Sequence, residues 1–264
     1  MPDSRSIAQE SFLAYLSEIE VEAQNAASLG DFRAAVMPWI DWKNIDSESK
    51  KTVAAFQKAD LNASRTFQSL FVTVQAGFEQ FIREIINEAA DSITSKKVSY
   101  DNLLKKFGTL ADHHVVASGK ALSTFFEPKE HYKFVFPDIA SNVCTSFSGS
   151  QGVTISGPVM SYRVGNIDSA AIENILGRFN YTVKWDDFAK SQSLRGVLQT
   201  KGQRDTEAAI KHHIDESLAL RNRLAHSQGA ASDATKERLA RLIIFYKEFA
   251  PLLNESFRSF VGFE

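Results

Sequence analysis

The 264-residue sequence has a single cysteine, Cys144, and few residues that break helices. One cysteine excludes a disulfide framework and an all-cysteine zinc site within the chain, and a reducing intracellular compartment is the simplest interpretation. Glycine (13) and proline (6) make up about 7% of the residues, against about 12% in an average protein. This scarcity favours helices over an architecture with many turns.

Long apolar runs and a strong net charge are also absent. No run of about 18 apolar residues could span a membrane, and the N-terminus lacks the apolar segment of a signal peptide. We therefore expect a cytoplasmic protein without membrane contact. The net charge of −2 gives no overall attraction to a polyanion, but ten Lys/Arg against six Asp/Glu make residues 195–247 basic. Any nucleic acid should bind near that end.

Helical periodicity is strong in the first third of the chain. Apolar residues at helical spacing predict a first helix over residues 4–29, with Gly30 as its stop. A longer helical stretch follows over residues 48–95. Unbroken, it would measure about 70 Å, which predicts a bend near residues 60–62.

The middle of the chain is less regular. Weak helical patterning over residues 100–126 is interrupted at Gly108 and Gly119. Residues 127–165 contain three prolines, four glycines and the runs YKFVF and GVTIS. They predict either an extended insertion or a loop with short strands. The next helix should begin after Asp168, whose side chain can cap it.

The last third returns to strong helical patterning. One helix is expected over residues 205–227, with Gly229 just beyond it. Ser232 or Asp233 can then cap a final helix that reaches Phe260.

These elements predict an all-α, antiparallel helical bundle. We divide the chain into an N-terminal helical extension, residues 1–60, and a bundle, residues 61–264. The bundle contains the irregular insertion at about residues 127–165.

The most informative segment is the hexapeptide RNRLAH, which occupies residues 221–226. It resembles the R-N-x-x-x-H signature of the HEPN superfamily, specifically the prokaryotic branch related to RNase L (RiboL-PSP-HEPN-like proteins). The resemblance implies a small all-α bundle with the motif at the end of a late helix. It also implies that Arg221, Asn222 and His226 are the catalytic residues, with Arg223 in support.

The upstream run FVTVQAGFEQFIREI resembles the family's earlier core helix, which often carries an acidic residue that faces the motif. Glu79 would be that residue here, in a supporting role. Alternatively, Glu79 and Arg83 lie one helical turn apart and form an ordinary surface ion pair. The resemblance spans about residues 63–260 and does not explain residues 1–60.

Arg221 and His226 would supply groups that a metal-independent ribonuclease needs: a base, an acid and a cation beside the phosphate. Arg221 can bind a phosphate bidentately, and His226 can act as the base or as the acid. Because His226 lies in the last turn of the expected helix, the macrodipole favours its protonated form, which makes the acid role easier. We expect neither a metal nor a cofactor.

Helix geometry separates these two side chains. At 100° per residue, Arg221 and His226 lie about 140° apart around a regular helix, whereas Asn222 and His226 share a face. The resemblance implies a homodimer in which two motifs meet in one cleft, with Asn222 orienting His226 or a phosphate. It also implies products with a 2′,3′-cyclic phosphate and a 5′-hydroxyl.

The resulting hypothesis is a HEPN-type, metal-independent endoribonuclease that cuts single-stranded or loop RNA. The resemblance further implies a toxin or an antiviral (phage-defence) effector, with an antitoxin or sensor protein as a further partner. Two alternatives stay open. One is a catalytically inactive HEPN-like module that binds RNA, nucleotide or a protein. The other is a helical scaffold or adaptor in which RNRLAH is only a basic helix terminus.

Other polar residues are weaker candidates. His212 and Glu216 have the i,i+4 spacing of two metal ligands, but no third ligand is indicated, and a solvated surface is the simpler interpretation. His113 and His114 lie in a weakly patterned segment and are also expected at the surface. Cys144 has no nearby histidine in the sequence, which speaks against a catalytic thiol.

Overall fold

The structure is a computed structural model. It describes residues 6–40, 43–124, 139, 144, 153–161, 165–226 and 234–262. Throughout these ranges the regular elements are helices, which confirms the all-α prediction. None of the helices in this part of the chain has the length and apolar character needed to cross a membrane.

Ten α-helices and one 3-10 turn make up the described regular structure. In chain order they are α1 (Ile7–Val36), the 3-10 turn (Met37–Trp39), α2 (Ser47–Ser95), α3 (Tyr100–Phe107), α4 (Leu110–Thr124), α5 (Gly157–Met160), α6 (Ser169–Gly177), α7 (Trp185–Phe188), α8 (Gln192–Leu198), α9 (Gln203–His226) and α10 (Lys236–Val261).

The long helices α1, α2, α9 and α10 form the bundle. Near one end of α10, Asn254 donates to the hydroxyl of Ser6 at 2.9 Å, and seven residues earlier Lys247 donates to Glu20 at 2.6 Å. The chain order of these contacts makes α10 antiparallel to α1. Helix α9 is antiparallel to α10, because the contacts of its residues 213 and 216 fall at successively earlier residues of α10. Glu216, in the second half of α9, therefore lies beside Arg238 at the start of α10, and the last residues of α9 extend past that start.

The bundle core is rich in aromatic rings. The rings of Phe78 and Tyr246 stack with centroids 4.3 Å apart, and those of Phe12 and Phe81 stack at 5.0 Å. Such ring pairs add to the free energy gained from burying their apolar surface. The aromatic side chains that are less than 5% exposed include Phe12, Phe71, Phe78, Phe81, Phe179, Phe245, Tyr246, Phe249 and Phe257.

The first helix is longer than predicted. It passes through Gly30 and ends at Val36, so the stop predicted at Gly30 is wrong. The α-helix gives way to a 3-10 turn that contains Pro38, whose ring leaves no backbone N–H for the helix. Glycine inside a helix is unfavourable by only about 1 kcal/mol relative to alanine, which the surrounding helix tolerates.

Helix α2 is also unbroken. It continues as a helix through residues 60–62, near which the sequence predicts a bend; if straight, its 49 residues would measure about 73 Å. None of the described side chains at positions 24–36 and 43–66 is buried or packs against the core, so this part of the α1–α2 hairpin extends beyond it. The first part of α1 does contribute to the core, through residues such as Leu16. The predicted boundary at residue 60 falls inside α2, and the division into an extension and a bundle stays a prediction.

The middle segment is partly described. Helix α3 ends at Gly108, whose φ of +55° favours glycine, as predicted. Gly119 lies inside α4, so the interruption predicted there is wrong. Of residues 127–165, the YKFVF run lies outside the described residues. Residues 153–156 of GVTIS are extended but form no strand, and Val153 donates instead to the carbonyl of Val98 at 2.9 Å.

Side-chain hydrogen bonds cap the first turns of α6 and α10. Asp168 accepts from the N–H of Ala171 at 2.6 Å and caps α6, which confirms the prediction. Helix α10 is capped by Thr235, and the predicted caps Ser232 and Asp233 lie outside the described residues.

Candidate active site at the end of helix α9

Helix α9 holds the RNRLAH segment as its last six residues. Ile210, Ile214 and Leu220 are at most 1% exposed, and Leu224 packs against the same core. These apolar residues fix the rotation of the helix. Arg221 lies next to the buried face and is half-buried, whereas the helix end is exposed.

Two amide oxygens bind the guanidinium of Arg221. Its Nη1 donates to Oδ1 of Asn222 at 3.0 Å and to Oδ1 of Asn166 at 3.3 Å. The Nε–H of Arg221 is buried and has no hydrogen-bond acceptor among the described residues. Within that same part of the chain, no carboxylate forms an ion pair with this arginine. The guanidinium is thus oriented by neutral groups and keeps its positive charge available to an anion.

Glu79 approaches the motif through one intervening residue. Its side chain is buried in α2, and Oε1 accepts from the backbone N–H of Asn166 at 3.0 Å. Its Oε2 lies 3.6 Å from Nη2 of Arg83. Both expected contacts of Glu79 therefore occur: it pairs with Arg83, and it faces the motif, but through Asn166. Its supporting role in catalysis stays a prediction.

The loop that carries Asn166 is held by both helices of the site. Ile167 is 1% exposed and inserts into the core. On the far side of the loop, Asp215 of α9 accepts from the backbone N–H of Ser169 at 2.8 Å and from its hydroxyl at 3.1 Å. Sequence analysis missed Asn166 and Asp215. The Gly165–Asn166 pair signals a turn, but nothing in the sequence indicates that the turn reaches Arg221.

His226 is the last residue of α9 and is exposed. It lies five residues after Arg221, which on a regular helix separates the two side chains by about 140°. A single protomer therefore does not bring Arg221 and His226 together. Asn222 shares the face of His226, but its Oδ1 binds Arg221. Arg223 is exposed at the same end of the helix, and Gly229 lies outside the described residues.

Two other polar candidates have structural contacts. His212 lies 3.8 Å from Glu216, and Arg238 binds the same carboxylate, so Glu216 is engaged in ion pairs. His114 is fully buried, and its Nε2 accepts from the N–H of Ser156 at 3.1 Å. The surface location predicted for His114 is wrong, because this histidine joins α4 to the segment before α5.

One of the comparisons with known proteins identifies the family of this chain. A family model described as RiboL-PSP-HEPN matches residues 43–259, from just before α2 to near the end of α10. Comparisons with curated proteins and with solved structures gave no match.

Proposed function

The chain belongs to the RiboL-PSP-HEPN family, and on that premise we propose that it is a metal-independent endoribonuclease that cleaves single-stranded or loop RNA. The family is a nuclease-related HEPN family, which supports the class of activity. The observation that carries the proposal is the state of Arg221. Its guanidinium is oriented by two amides, is not neutralised by a carboxylate of the described residues, and precedes an exposed His226 by five positions.

The proposed reaction is an internal transesterification. The 2′-oxygen of the substrate attacks the adjacent phosphorus atom and loses its proton to a base. The bond from phosphorus to the 5′-oxygen breaks, and an acid protonates that leaving oxygen. The products are a 2′,3′-cyclic phosphate and a 5′-hydroxyl. His226 would act as the acid. Arg221 would bind the non-bridging oxygens as their charge increases.

We further propose that the active form is a homodimer. One protomer holds Arg221 and His226 on different faces of α9, so a single copy does not direct both at one phosphate. A second copy allows the arginine of one protomer and the histidine of the other to face the same phosphate. Asn222 would then orient Arg221, the contact it makes in this structure.

The biological role we propose is that of a toxin or phage-defence effector in the cytoplasm. Unrestricted RNA cleavage would arrest growth, so an antitoxin or sensor protein would restrain the enzyme.

Purified variants test the activity. We expect wild-type protein to convert RNA into fragments with 5′-hydroxyl ends, and H226A and R221A to lose this activity at least a hundredfold, the range of a general acid or of a charge-stabilising group. H212A and R204A are matched controls on the same helix, because both side chains are exposed and distant in sequence from the motif. The controls should cleave at the wild-type rate.

The same experiment separates the alternatives. Binding of RNA without new 5′-hydroxyl ends would identify an inactive HEPN-like module. If the protein neither binds nor cleaves RNA, the result would favour a helical scaffold or adaptor. Full activity in both R221A and H226A would overturn the proposed site.

A further inference from the structure

Asn166 connects the two helices that carry the candidate site. Its backbone N–H donates to Glu79 on α2 at 3.0 Å, and its side-chain oxygen accepts from Arg221 on α9 at 3.3 Å. We propose that Asn166 is a positioning residue that holds the Arg221 guanidinium ready for the scissile phosphate, with the buried carboxylate of Glu79 fixing its backbone. This inference rests on the proposed ribonuclease function.

The backbone of Asn166 is suited to this task. Its φ is +51°, in the left-handed region that glycine, asparagine and aspartate adopt more readily than other residues. The carbonyl of Asn166 also accepts from the N–H of Asp168 at 3.1 Å. Ile167 is anchored in the core between them. The residue is therefore held by its own N–H, by its carbonyl and by its neighbour, and its side chain is presented to Arg221 in one orientation.

The contact also determines which edge of the guanidinium is engaged. Both hydrogen bonds of Arg221 use Nη1, and within the described residues Nε–H has no acceptor. A guanidinium has three nitrogen donors in a plane; Asn166 and Asn222 occupy Nη1 and Nε is buried, so Nη2 is the nitrogen left to bind a phosphate oxygen. Without Asn166, the long arginine side chain would lose one of the two contacts that fix this orientation.

Two substitutions isolate the side-chain oxygen of Asn166. Asn166→Gly retains a residue that adopts positive φ without steric cost, but it removes the acceptor. Asn166→Asp retains an oxygen at the same position and also tolerates this backbone conformation. We expect N166G to lower kcat on the order of tenfold to a hundredfold with little change in KM, since misplacing a catalytic group affects the transition state most. N166D should keep Arg221 in this orientation, because its oxygen again binds the guanidinium, but its carboxylate would neutralise the charge that binds the phosphate, so N166D is compared by its NMR signals and not by kcat.

A spectroscopic signal provides a readout that does not need activity. The Nη–H signals of Arg221 in NMR spectra, assigned by their loss in R221K, should be separate in wild type, because hydrogen bonds at Nη1 restrict rotation of the guanidinium. In N166G they should merge, and in N166D they should stay separate. A residue with only a general structural role would alter stability without this pattern, and thermal unfolding of both variants would reveal such a change.

The outcomes distinguish this inference from the proposed function. Merged signals and reduced kcat in N166G, with separate signals in N166D, support it. Unchanged Arg221 signals in N166G overturn it, whether or not the wild type cleaves RNA. An unchanged kcat in N166G, beside an active wild type, also overturns it. If the wild type does not cleave RNA but the signals respond as expected, the ribonuclease proposal fails while the contact between Asn166 and Arg221 stands.

Discussion

At the scale of single residues, the buried His114 and the half-buried His213 both have a strongly lowered pKa. Burial lowers the pKa of His114 to about 4, and its Nε2 accepts a hydrogen bond from Ser156, which requires a neutral ring with the proton on Nδ1. Burial also lowers the pKa of His213 to about 4, against an opposing effect of Glu216. The ring of His213 packs on Phe245 with centroids 4.3 Å apart. Both rings are therefore neutral in the folded protein at neutral pH.

This predicts that the protein becomes less stable as the pH falls from about 6.5 to 4. Above the unfolded pKa of about 6.5, neither state holds extra protons on these rings. Below it, the unfolded chain binds protons that the folded chain excludes, so the free energy of unfolding decreases by up to about 1.4 kcal/mol per pH unit for each histidine. Urea unfolding at several pH values measures the slope. H213F should reduce the slope of the unfolding free energy against pH, and the exposed-site control H212A should not. An equal slope in wild type and both variants would contradict a contribution of His213.

The residue scale also shows what the sequence can indicate about the site. Arg221 and His226 are predictable because they lie in one short motif on one helix. Asn166 is not, since it lies 55 positions before Arg221 and meets it only after α2, α6 and α9 have packed. The burial of His114 is hidden for the same reason, because its neighbour Ser156 lies 42 positions away, beyond the irregular segment.

At the scale of elements, the sequence identifies where helices occur better than where they end. The cap at Asp168 is predictable because it is a local contact with the N–H three residues ahead. A glycine predicts a helix end less well than such a cap predicts a helix start. It ends α3 at Gly108 but lies inside α1 at position 30 and inside α4 at position 119. Gly30 and Gly119 have no atom close enough to contact an added Cβ, and the helix continues through both.

Two glycines should therefore respond in opposite ways to alanine. At Gly119 an added Cβ would meet nothing within 4 Å, so G119A should stabilise the protein by about 1 kcal/mol through helix propensity. At Gly157 the Cβ would lie 2.6 Å from the backbone Cα of Asn87, so G157A should destabilise it by about 1–3 kcal/mol by forcing α5 away from α2. Chemical denaturation measures both. The same sign of change in the two variants would contradict the described packing.

At the scale of the whole molecule, the last residues of α9 extend past the start of α10, and part of the α1–α2 hairpin extends beyond the core. The bundle was predictable from helical periodicity. The projecting hairpin was not, because a helix that leaves the core keeps the same local propensity as one that stays in it. A regular helix separates Arg221 from His226 by about 140° around α9, and for this reason we propose that two copies form the complete active site.

Complementation between inactive variants tests this claim most directly. R221A and H226A would be expressed together with different affinity tags, the doubly tagged dimer isolated, and its RNA products assayed for 5′-hydroxyl ends. We expect each variant alone to be inactive and the mixed dimer to recover part of the wild-type activity, because it again contains one arginine and one histidine at a shared cleft. A mixed dimer that forms but cleaves no RNA, beside an active wild-type dimer, would contradict the composite site.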